Sequence, residues 1–402
     1  MIRHMFKLIW NRKRRNYLLI SEIFFSFVVL FAVSTFALFT GIRLSEPLGF
    51  DYEDVLVVQT NYEDAQQTDS LSEREVKDIM ATMERELRSC REVVDVAWGS
   101  SNLPWAGSMW RTSYIYDGIE RDYSIHYVSD HFADVMTMPL LEGRWFNADD
   151  DAAAITPIVI NRKVCETTFG DKPAIGQIIT DDDDETPVDF VVIGVVDEYR
   201  YRGEMEVSEP SIFFRRTHED SLTLYAGTAL VKVRPDAGVG FQKTITDRLA
   251  EISHGWIIGV EALEDARNES LRNIKINALP GVIVALFLVF NVALGLFGIL
   301  WYSVSRRRGE IGVRRAAGAL AAHISWQIIG EALVMATFAI LVGIILAIQV
   351  PLLDIQPQIS TAIYLLAMIC SSLMIYMIVA VCAMYPSRLA ARIQPAEALH
   401  DE

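Results

Sequence analysis

The sequence predicts a membrane protein with four transmembrane α-helices, one N-terminal and three C-terminal, and a large α+β extracytoplasmic domain between the first and the second. Two observations predict this class. The chain of 402 residues has a mean hydropathy of +0.25 and contains four long apolar stretches. Its central segment alternates short β-branched runs with amphipathic stretches. An apolar content of 51% excludes a disordered chain, and a formal charge of −16 argues against a nucleic-acid-binding protein.

The four apolar stretches cover residues 17–40, 276–305, 323–353 and 355–387. As helices that rise about 1.5 Å per residue, all four are long enough to cross the roughly 30 Å of a bilayer core. The first stretch follows a basic start, as a secretory signal does. Its apolar run exceeds the roughly 7–15 residues of a signal core, and no small-residue cleavage motif follows it, so we expect an uncleaved anchor.

Basic residues in the short loops predict the orientation. Lysine and arginine cluster in the first 16 residues, in the loop between the second and third spans (305–322, the inner loop), and in the tail 386–402. We expect these segments, and therefore both termini, in the cytoplasm. Residues 42–275 would then form the outer domain, which carries 23 Lys+Arg against 45 Asp+Glu, a net charge of −22. This distribution suits a bacterial inner membrane with the large domain in the periplasm.

The expected organisation has three parts. Residues 1–41 supply a cytoplasmic amphipathic start and the first span, 42–275 the outer domain, and 276–402 the other spans. In the outer domain we predict helices over 72–89 and 240–252 and strands at 54–60, 93–98, 111–116, 157–160, 190–196, 211–214 and 229–233. Turn residues divide it into a base (about 50–105 and 225–262) and an inserted β-rich lobe (about 106–224).

The sequence lacks the common catalytic motifs. It contains no G-x-x-x-x-G-K-[ST] phosphate loop, no H-E-x-x-H helix and no G-x-S-x-G elbow, so we expect no ATP hydrolysis by this chain itself. His126 and His131, beside Asp130, match no metal-site spacing, and the acidic run 181–185 lacks the spaced ligands of a calcium loop. We expect a polar edge and a solvated turn there, and no metal site.

The cysteines divide into two pairs by position. Cys90 and Cys165 lie in the outer domain, where a disulfide is chemically permitted, and their pairing is left open. Cys370 and Cys382 lie 12 residues apart in one predicted span, about 18 Å along the helix axis, so they are expected to be packing residues.

Two carboxylates and two glycines stand out in the spans. Glu22 and Glu331 are intramembrane acids, which serve either as an ion relay or, close to the headgroups, in snorkelling and pairing with the basic residues 12–15. Gly295 and Gly298 permit close helix approach, as a dimer seam or as packing within the chain. Pro280, at the start of the second predicted span, is expected to let that span pivot.

The inner loop carries the strongest local signal. Residues 305–324 read SRRRGEIGVRRAAGALAAHI, which predicts a short amphipathic helix at the membrane surface. Its apolar side is expected to consist of Ile311, Val313, Leu320 and Ile324, opposite five arginines. A topology signal accounts for the arginines alone, whereas the ordered run 310–315 favours a docking site.

These residues resemble the MacB/FtsX-type permeases of ABC transporters. Residues 307–319 are similar to the family pattern R-x-x-E-I-G-I-R-R-A-x-G-A, and 386–399 to its ending P-x-x-x-A-A-R-x-x-P-x-E-A-L. The outer domain resembles the family's periplasmic core domain in 138–144, in Phe169-Gly170 followed by Ile175-Gly176, and in 192–196. The likeness covers nearly the whole chain.

The resemblance implies a coupling role for the inner loop, which would rest on a nucleotide-binding subunit. The residues implied in this contact are Arg307, Glu310, Ile311, Gly312, Arg314, Arg315 and Gly318. It also implies a porter-like base with an inserted lobe in the outer domain. Since the sequence begins directly at the membrane segment, we expect the ATPase, with its ATP and Mg²⁺, on a separate subunit and no cofactor in this chain.

These features predict a non-catalytic permease subunit that works as a homo- or heterodimer with an ABC ATPase. It would drive export or periplasmic handover of a peptide, lipoprotein or amphipathic drug, with a periplasmic adaptor or outer-membrane factor as a further partner. Two alternatives remain open. One is an FtsX-like signalling subunit that controls a periplasmic hydrolase, and the other is a stand-alone membrane sensor.

Overall fold

The computed structural model describes residues 13–61, 72–100, 102–181, 187–216, 228–238, 240–253, 256–306, 308–318 and 320–391. The helices are α1 (Lys13–Ser45), α2 (Glu73–Ser89), α3 (Gly240–Ile252), α4 (Leu263–Arg306), α5 (Arg308–Ala316), α6 (Ala321–Ala347) and α7 (Thr361–Ala391). Short helical turns cover Phe132–Val135, Ala148–Ala152, Arg162–Val164, Cys165–Phe169 and Gln349–Leu352. The strands are β1 (Val55–Asn61), β2 (Val93–Gly99), β3 (Arg111–Tyr116), β4 (Ile119–Val128), β5 (Leu140–Gly143), β6 (Thr156–Asn161), β7 (Ile178–Asp181), β8 (Val188–Val196), β9 (Ser211–Arg215), β10 (Thr228–Val233) and β11 (Ile257–Ala262).

The chain divides into two compact units, residues 1–42 with 275–402 and residues 43–274. The first unit contains four helices that are long and apolar enough to cross a membrane, within α1, α4, α6 and α7. The four predicted spans are therefore present among the described residues. The second unit contains all eleven described strands in one sheet.

The base of the outer domain is a four-stranded antiparallel sheet in the order β11–β1–β10–β2. Since α2 follows β1 and α3 follows β10, the chain order is β-α-β-β-α-β, which is the ferredoxin-like arrangement. Helix α2 begins at a capping box in which Ser72 Oγ accepts from Glu75 N and Glu75 Oε2 accepts from Ser72 N. Both helices pack on the sheet through a buried cluster that includes Met83, Trp98 and Leu249.

The lobe contains the remaining strands around a separate buried cluster that includes Tyr123, Ile160 and Ile212. It mixes orientations, since β4 runs parallel to β9 and β6 runs parallel to β8. The base and lobe sheets join where β2 pairs with β4 through Gly99 and Val128. The boundaries predicted for base and lobe remain predictions.

Two local expectations differ from the structure. The second span was expected to begin at residue 276 with Pro280 at its start, but α4 begins at Leu263 and Pro280 lies inside it. The 13 residues before 276 are mostly polar, so hydropathy marks only the apolar part of a longer helix. The prediction also missed β4, β5, β7 and β11, and β5 is exposed at every position, which removes the alternation that marks a strand.

The membrane unit packs through a cluster of buried aliphatic, aromatic and small side chains. Its members include Ile23 and Phe27 from α1, Leu296 from α4 and Ala336 from α6. A Cβ on Gly343 would lie 2.3 Å from Phe27 Cδ1, so this glycine is what permits the close contact of α6 with α1. Small residues at such contacts are typical of membrane helices, which associate through van der Waals packing.

Candidate functional site

The inner loop folds as a short helix between two spans. Helix α5 covers nine residues, and Ala317 N donates to Val313 O (2.9 Å) as its last turn closes. Gly318 then has a φ of +94°, a left-handed backbone conformation that residues other than glycine rarely adopt. The chain turns at this glycine and α6 begins three residues later. Gly318 therefore allows the compact turn that follows the helix.

Ile311 packs the apolar side of α5 against two of the spans. Ile311 is buried against Val304 of α4 and Ile324 of α6. Val313 and Leu320 are 56% and 75% exposed. Of the four apolar residues predicted to supply contacts, two therefore pack inward and two remain on the surface.

A chain of polar contacts connects α5 with the third span. Arg314 Nη1 donates to Gln327 Oε1 (3.1 Å), and Gln327 Nε2 donates to Glu331 Oε1 (3.3 Å). Gln327 and Glu331 lie one turn apart on α6. Glu331 is thus connected through one amide to an arginine of the inner loop, a contact that sequence reasoning missed because it depends on how α5 folds back on α6.

The remaining predicted loop residues are only partly described. Arg307 lies outside the described residues, as do the side chains of Glu310 and Arg315 and the surroundings of Gly312. The amphipathic start (1–12) and the tail from residue 392 onward also lie outside them.

The two glycines of α4 have different surroundings. A Cβ on Gly295 would lie 2.4 Å from Glu22 Oε2, so Gly295 accommodates the Glu22 carboxylate within this chain. A Cβ on Gly298 would meet no described atom within 4 Å beyond the adjacent backbone of its own helix, and Gly298 is exposed. The basic side chains 12–15 that were expected to pair with Glu22 and Glu331 lie outside the described side chains.

The two histidines named from the sequence, His126 and His131, lie in different surroundings. His126 is fully buried, its ring lies 4.7 Å from that of Tyr201, and burial lowers its pKa to about 3. His131 is exposed and its Nδ1 lies 2.9 Å from Asp95 Oδ2, while Asp130 binds Arg215.

Asp95, His131 and Asp134 do place ligand atoms within 4.8 Å of one another. Asp95 also accepts from Arg88, whose guanidinium supplies a positive charge at that position. The arrangement is that of a charged surface network.

The described cysteines are free thiols. Cys90 packs against the base cluster and Cys165 against the lobe cluster. Burial raises the pKa of both thiols, to about 11 for Cys165, so neither carries the thiolate that a reactive cysteine needs.

Comparison with known proteins defines the family. A model of the MacB-like periplasmic core domain matches residues 26–248, more than half of the chain, and a model of the FtsX-like permease C-terminal domain matches residues 282–395. The chain belongs to the MacB/FtsX-type permease family. It is a multi-pass inner-membrane protein with a periplasmic domain, and the predicted fold class is confirmed.

The permease is similar to bacterial export proteins. It is 26% identical over 302 residues to the macrolide export ATP-binding/permease protein MacB of Wolinella succinogenes. The matched region covers 71% of this chain and 45% of that protein. The permease is 27% identical over 283 residues to the pyoverdine export ATP-binding/permease protein PvdT of Pseudomonas syringae, with 68% and 42% covered. The chain thus spans less than half the length of these relatives.

A solved structure also resembles the permease. The periplasmic region of MacB from Actinobacillus actinomycetemcomitans matches with a TM-score of 0.39 and 13% identity, over 58% of this chain and 98% of that region.

Proposed function

We propose that this permease is the membrane subunit of an ABC-type complex, in which ATP and Mg²⁺ bind to a separate ATPase subunit and not to this chain. Hydrolysis there would move the inner loop, and the helices would pass that movement to the periplasmic domain. The inner loop and both termini would be cytoplasmic, as the basic residues of the short loops predict.

The observation that carries this proposal is the construction of the inner loop. Helix α5 is anchored on one side by Ile311 and is bound to α6 through Arg314 and Gln327. The same short segment exposes Val313 and Leu320. A helix that is anchored to the spans, in a segment that still presents apolar side chains, is suited to receive a partner and pass its movement to α6. The match of residues 282–395 to the FtsX-like permease domain supports the same assignment.

We assign the contact with the ATPase to the inner-loop residues predicted from the sequence. Arg314 would contribute to both the partner and α6, and Ile311 and Gly318 would position the helix. The charged contacts would come from Arg307, Glu310 and Arg315, with Gly312 allowing close approach.

Two copies of the permease, or one copy and a paralogue, would form the membrane part of the complex. Gly298 lies on an exposed stretch of α4 beside Phe297 and Trp301, which are 37% and 40% exposed. A small residue beside exposed aromatic side chains suits close packing of a second helix. The space beside Gly295 is filled by the Glu22 carboxylate of the same chain, so the dimer seam would centre on Gly298.

The cargo would be an amphipathic molecule, a peptide or a lipoprotein that is handed onward from the periplasm. The named relatives export a macrolide and pyoverdine. The net charge of −22 on residues 42–275 favours a cationic cargo. A periplasmic adaptor or outer-membrane factor would complete the path.

The test uses charge reversal in the inner loop. Arg314→Glu should abolish recovery of an ATPase subunit when the tagged permease is purified from native membranes in mild detergent, and should remove cargo-stimulated ATP turnover. Arg388→Glu is the matched control, since it makes the same charge change at an exposed position near the end of α7. This control should retain both properties.

Unchanged ATPase recovery and turnover in Arg314→Glu would contradict the coupling assignment. Recovery of the permease with periplasmic proteins but without any ATPase would instead favour the sensor. An ATPase partner whose turnover responds to a periplasmic hydrolase and to no cargo would favour the FtsX-like signalling role.

A further inference from the structure

Two charged side chains are almost fully buried in one loop of the periplasmic domain. The loop covers residues 197–206, between β8 and β9, and we call it the junction loop. Its Arg200 and Glu204 are 3% and 2% exposed. Burying a charge costs several kcal/mol unless it is paired or hydrogen-bonded, so both residues need specific partners.

Arg200 binds one carbonyl group in the last turn of α1 and another just after it. Its Nη1 donates to Arg43 O (3.3 Å) and Glu46 O (3.2 Å), and it lies 3.5 Å from the Glu46 carboxylate. The last four carbonyls of a helix lack partners within the helix and carry its partial negative charge. Arg200 therefore acts as a C-terminal cap for a helix that lies more than 150 residues earlier in the chain.

The other donors of the same guanidinium hold the junction loop in shape. Nη2 donates to Glu204 O, and both Nε and Nη2 lie 3.3 Å from Glu206 O. The Arg200 amide also donates to Leu48 O (2.9 Å). One arginine thus shapes the junction loop and attaches it to the chain that leaves α1.

Glu204 attaches the junction loop to the other segment that leads to the membrane. Its Oε1 accepts from Arg267 Nε (2.6 Å), and Arg267 lies in the second turn of α4. The Arg267 guanidinium also lies 4.5 Å from the centre of the Tyr52 ring, a cation–π contact. The segments that enter and leave the domain are therefore bound to the same ten-residue loop.

We propose that Arg200 is a positioning residue that fixes the end of α1 to the periplasmic domain, and that the Glu204–Arg267 pair fixes the start of α4 to the same loop. We call these two attachments the junction. A role of the junction in carrying movement between the spans and the periplasmic domain rests on the proposed function. The two attachments themselves do not depend on that function.

The experiment measures the mobility of a spin label at the junction in the full chain, purified in detergent without any ATPase. All four cysteines are first replaced by serine or alanine, and a label is placed at Leu44, which is 44% exposed in the last turn of α1. In this background Arg200→Met should shift the spectrum from the immobilised to the mobile component, because the methionine cannot bind the carbonyls. A second label at Ile119, in the lobe and 55% exposed, should not change.

Two further variants separate a local effect from general loss of structure. Arg144→Met removes the ion pair with Asp150 elsewhere in the domain and should leave the Leu44 label immobilised. Arg267→Met breaks only the second attachment and should mobilise a label at Asn268 but not at Leu44. If Arg200→Met unfolds the domain, the Arg267→Met pair of labels still tests the junction.

An unchanged Leu44 spectrum in a folded Arg200→Met protein would overturn the assignment of Arg200. An unchanged Asn268 spectrum in Arg267→Met would overturn the second attachment. Because no ATPase is present, both outcomes leave the proposed function untouched. If no ATPase subunit is recovered with the wild-type permease, the proposed function is contradicted and the assignment of the junction is unaffected.

Discussion

Replacing Gly49 by alanine tests how tightly the segment after α1 is held against the junction loop. Gly49 has φ +85°, and a Cβ built there would lie 1.5 Å from Glu198 O. Real Cβ atoms essentially never approach another atom closer than 3.0 Å. The alanine variant therefore has to separate two backbone segments, which no side-chain rotation can relieve.

The magnitude has two parts. A left-handed conformation costs a non-glycine residue about 1–2 kcal/mol. Overpacking at a rigid contact adds about 1–3 kcal/mol. Gly118 isolates the first part, since its φ is +71° and a Cβ there would meet nothing within 4 Å. The difference between Gly49→Ala and Gly118→Ala is thus about 1–3 kcal/mol.

The assay is thermal unfolding of the full chain in detergent, followed by tryptophan fluorescence. Trp105 is a local reporter, since its ring lies 5.6 Å from that of Phe50. For a domain of this size, 1 kcal/mol corresponds to about 2–4 °C in Tm, so Gly49→Ala should melt about 2–12 °C below Gly118→Ala. Equal Tm values for the two variants would refute the reasoning, since the backbone contact would then carry no energetic weight.

The remaining predictions concern other parts of the chain. Ile311→Ala should remove the packing of α5 against α4 and α6, at a cost of about 2–4 kcal/mol, and expose the inner loop to limited proteolysis. Val313→Ala, at an exposed position, should not change the cleavage, and equal cleavage of the two variants would contradict the anchoring role of Ile311. Gly343→Leu should lower the Tm of the monomer, because the new side chain clashes with Phe27. Gly298→Leu should leave that Tm unchanged and reduce the dimer fraction measured by cross-linking. An intact dimer in Gly298→Leu would show that Gly298 is not part of the dimer seam. Burial lowers the folded-state pKa of His126 to about 3, so the unfolded chain binds a proton that the folded chain does not. The free energy of unfolding therefore decreases as the pH falls below about 6.5, by about 1.6 kcal/mol between pH 6.5 and pH 5. His126→Phe should flatten that dependence and His131→Gln should not, as measured by Tm against pH, and an unchanged slope in His126→Phe would disprove the buried neutral state.

Much of the fold could be predicted from local patterns. The four spans follow from long runs of apolar residues, and α2 from the helical spacing of Val76, Met83 and Leu87. Strand β8 follows from its β-branched composition. Each of these signals lies within one short window of sequence, which is why it is readable without the fold.

Other features depend on residues that are distant in sequence. Pro280 reads as a helix start, but α4 continues through it from a polar segment. Strand β11 is paired with β1 across roughly 200 residues, and its own pattern is weak. The contact between Arg314 and Gln327 crosses a turn whose geometry depends on Gly318.

The sequence by itself determined that this chain has four spans, an acidic outer domain and a basic inner loop with the pattern of its family. These properties follow from composition and short-range periodicity, because partition into lipid and helix amphipathicity depend on neighbouring residues. Only the tertiary structure decided that Gly295 serves the contact with Glu22 and that Arg200 caps α1. Arg200 and Arg43 are 157 residues apart, and only folding brings that guanidinium to the helix end, where it replaces the water that both groups lose on burial.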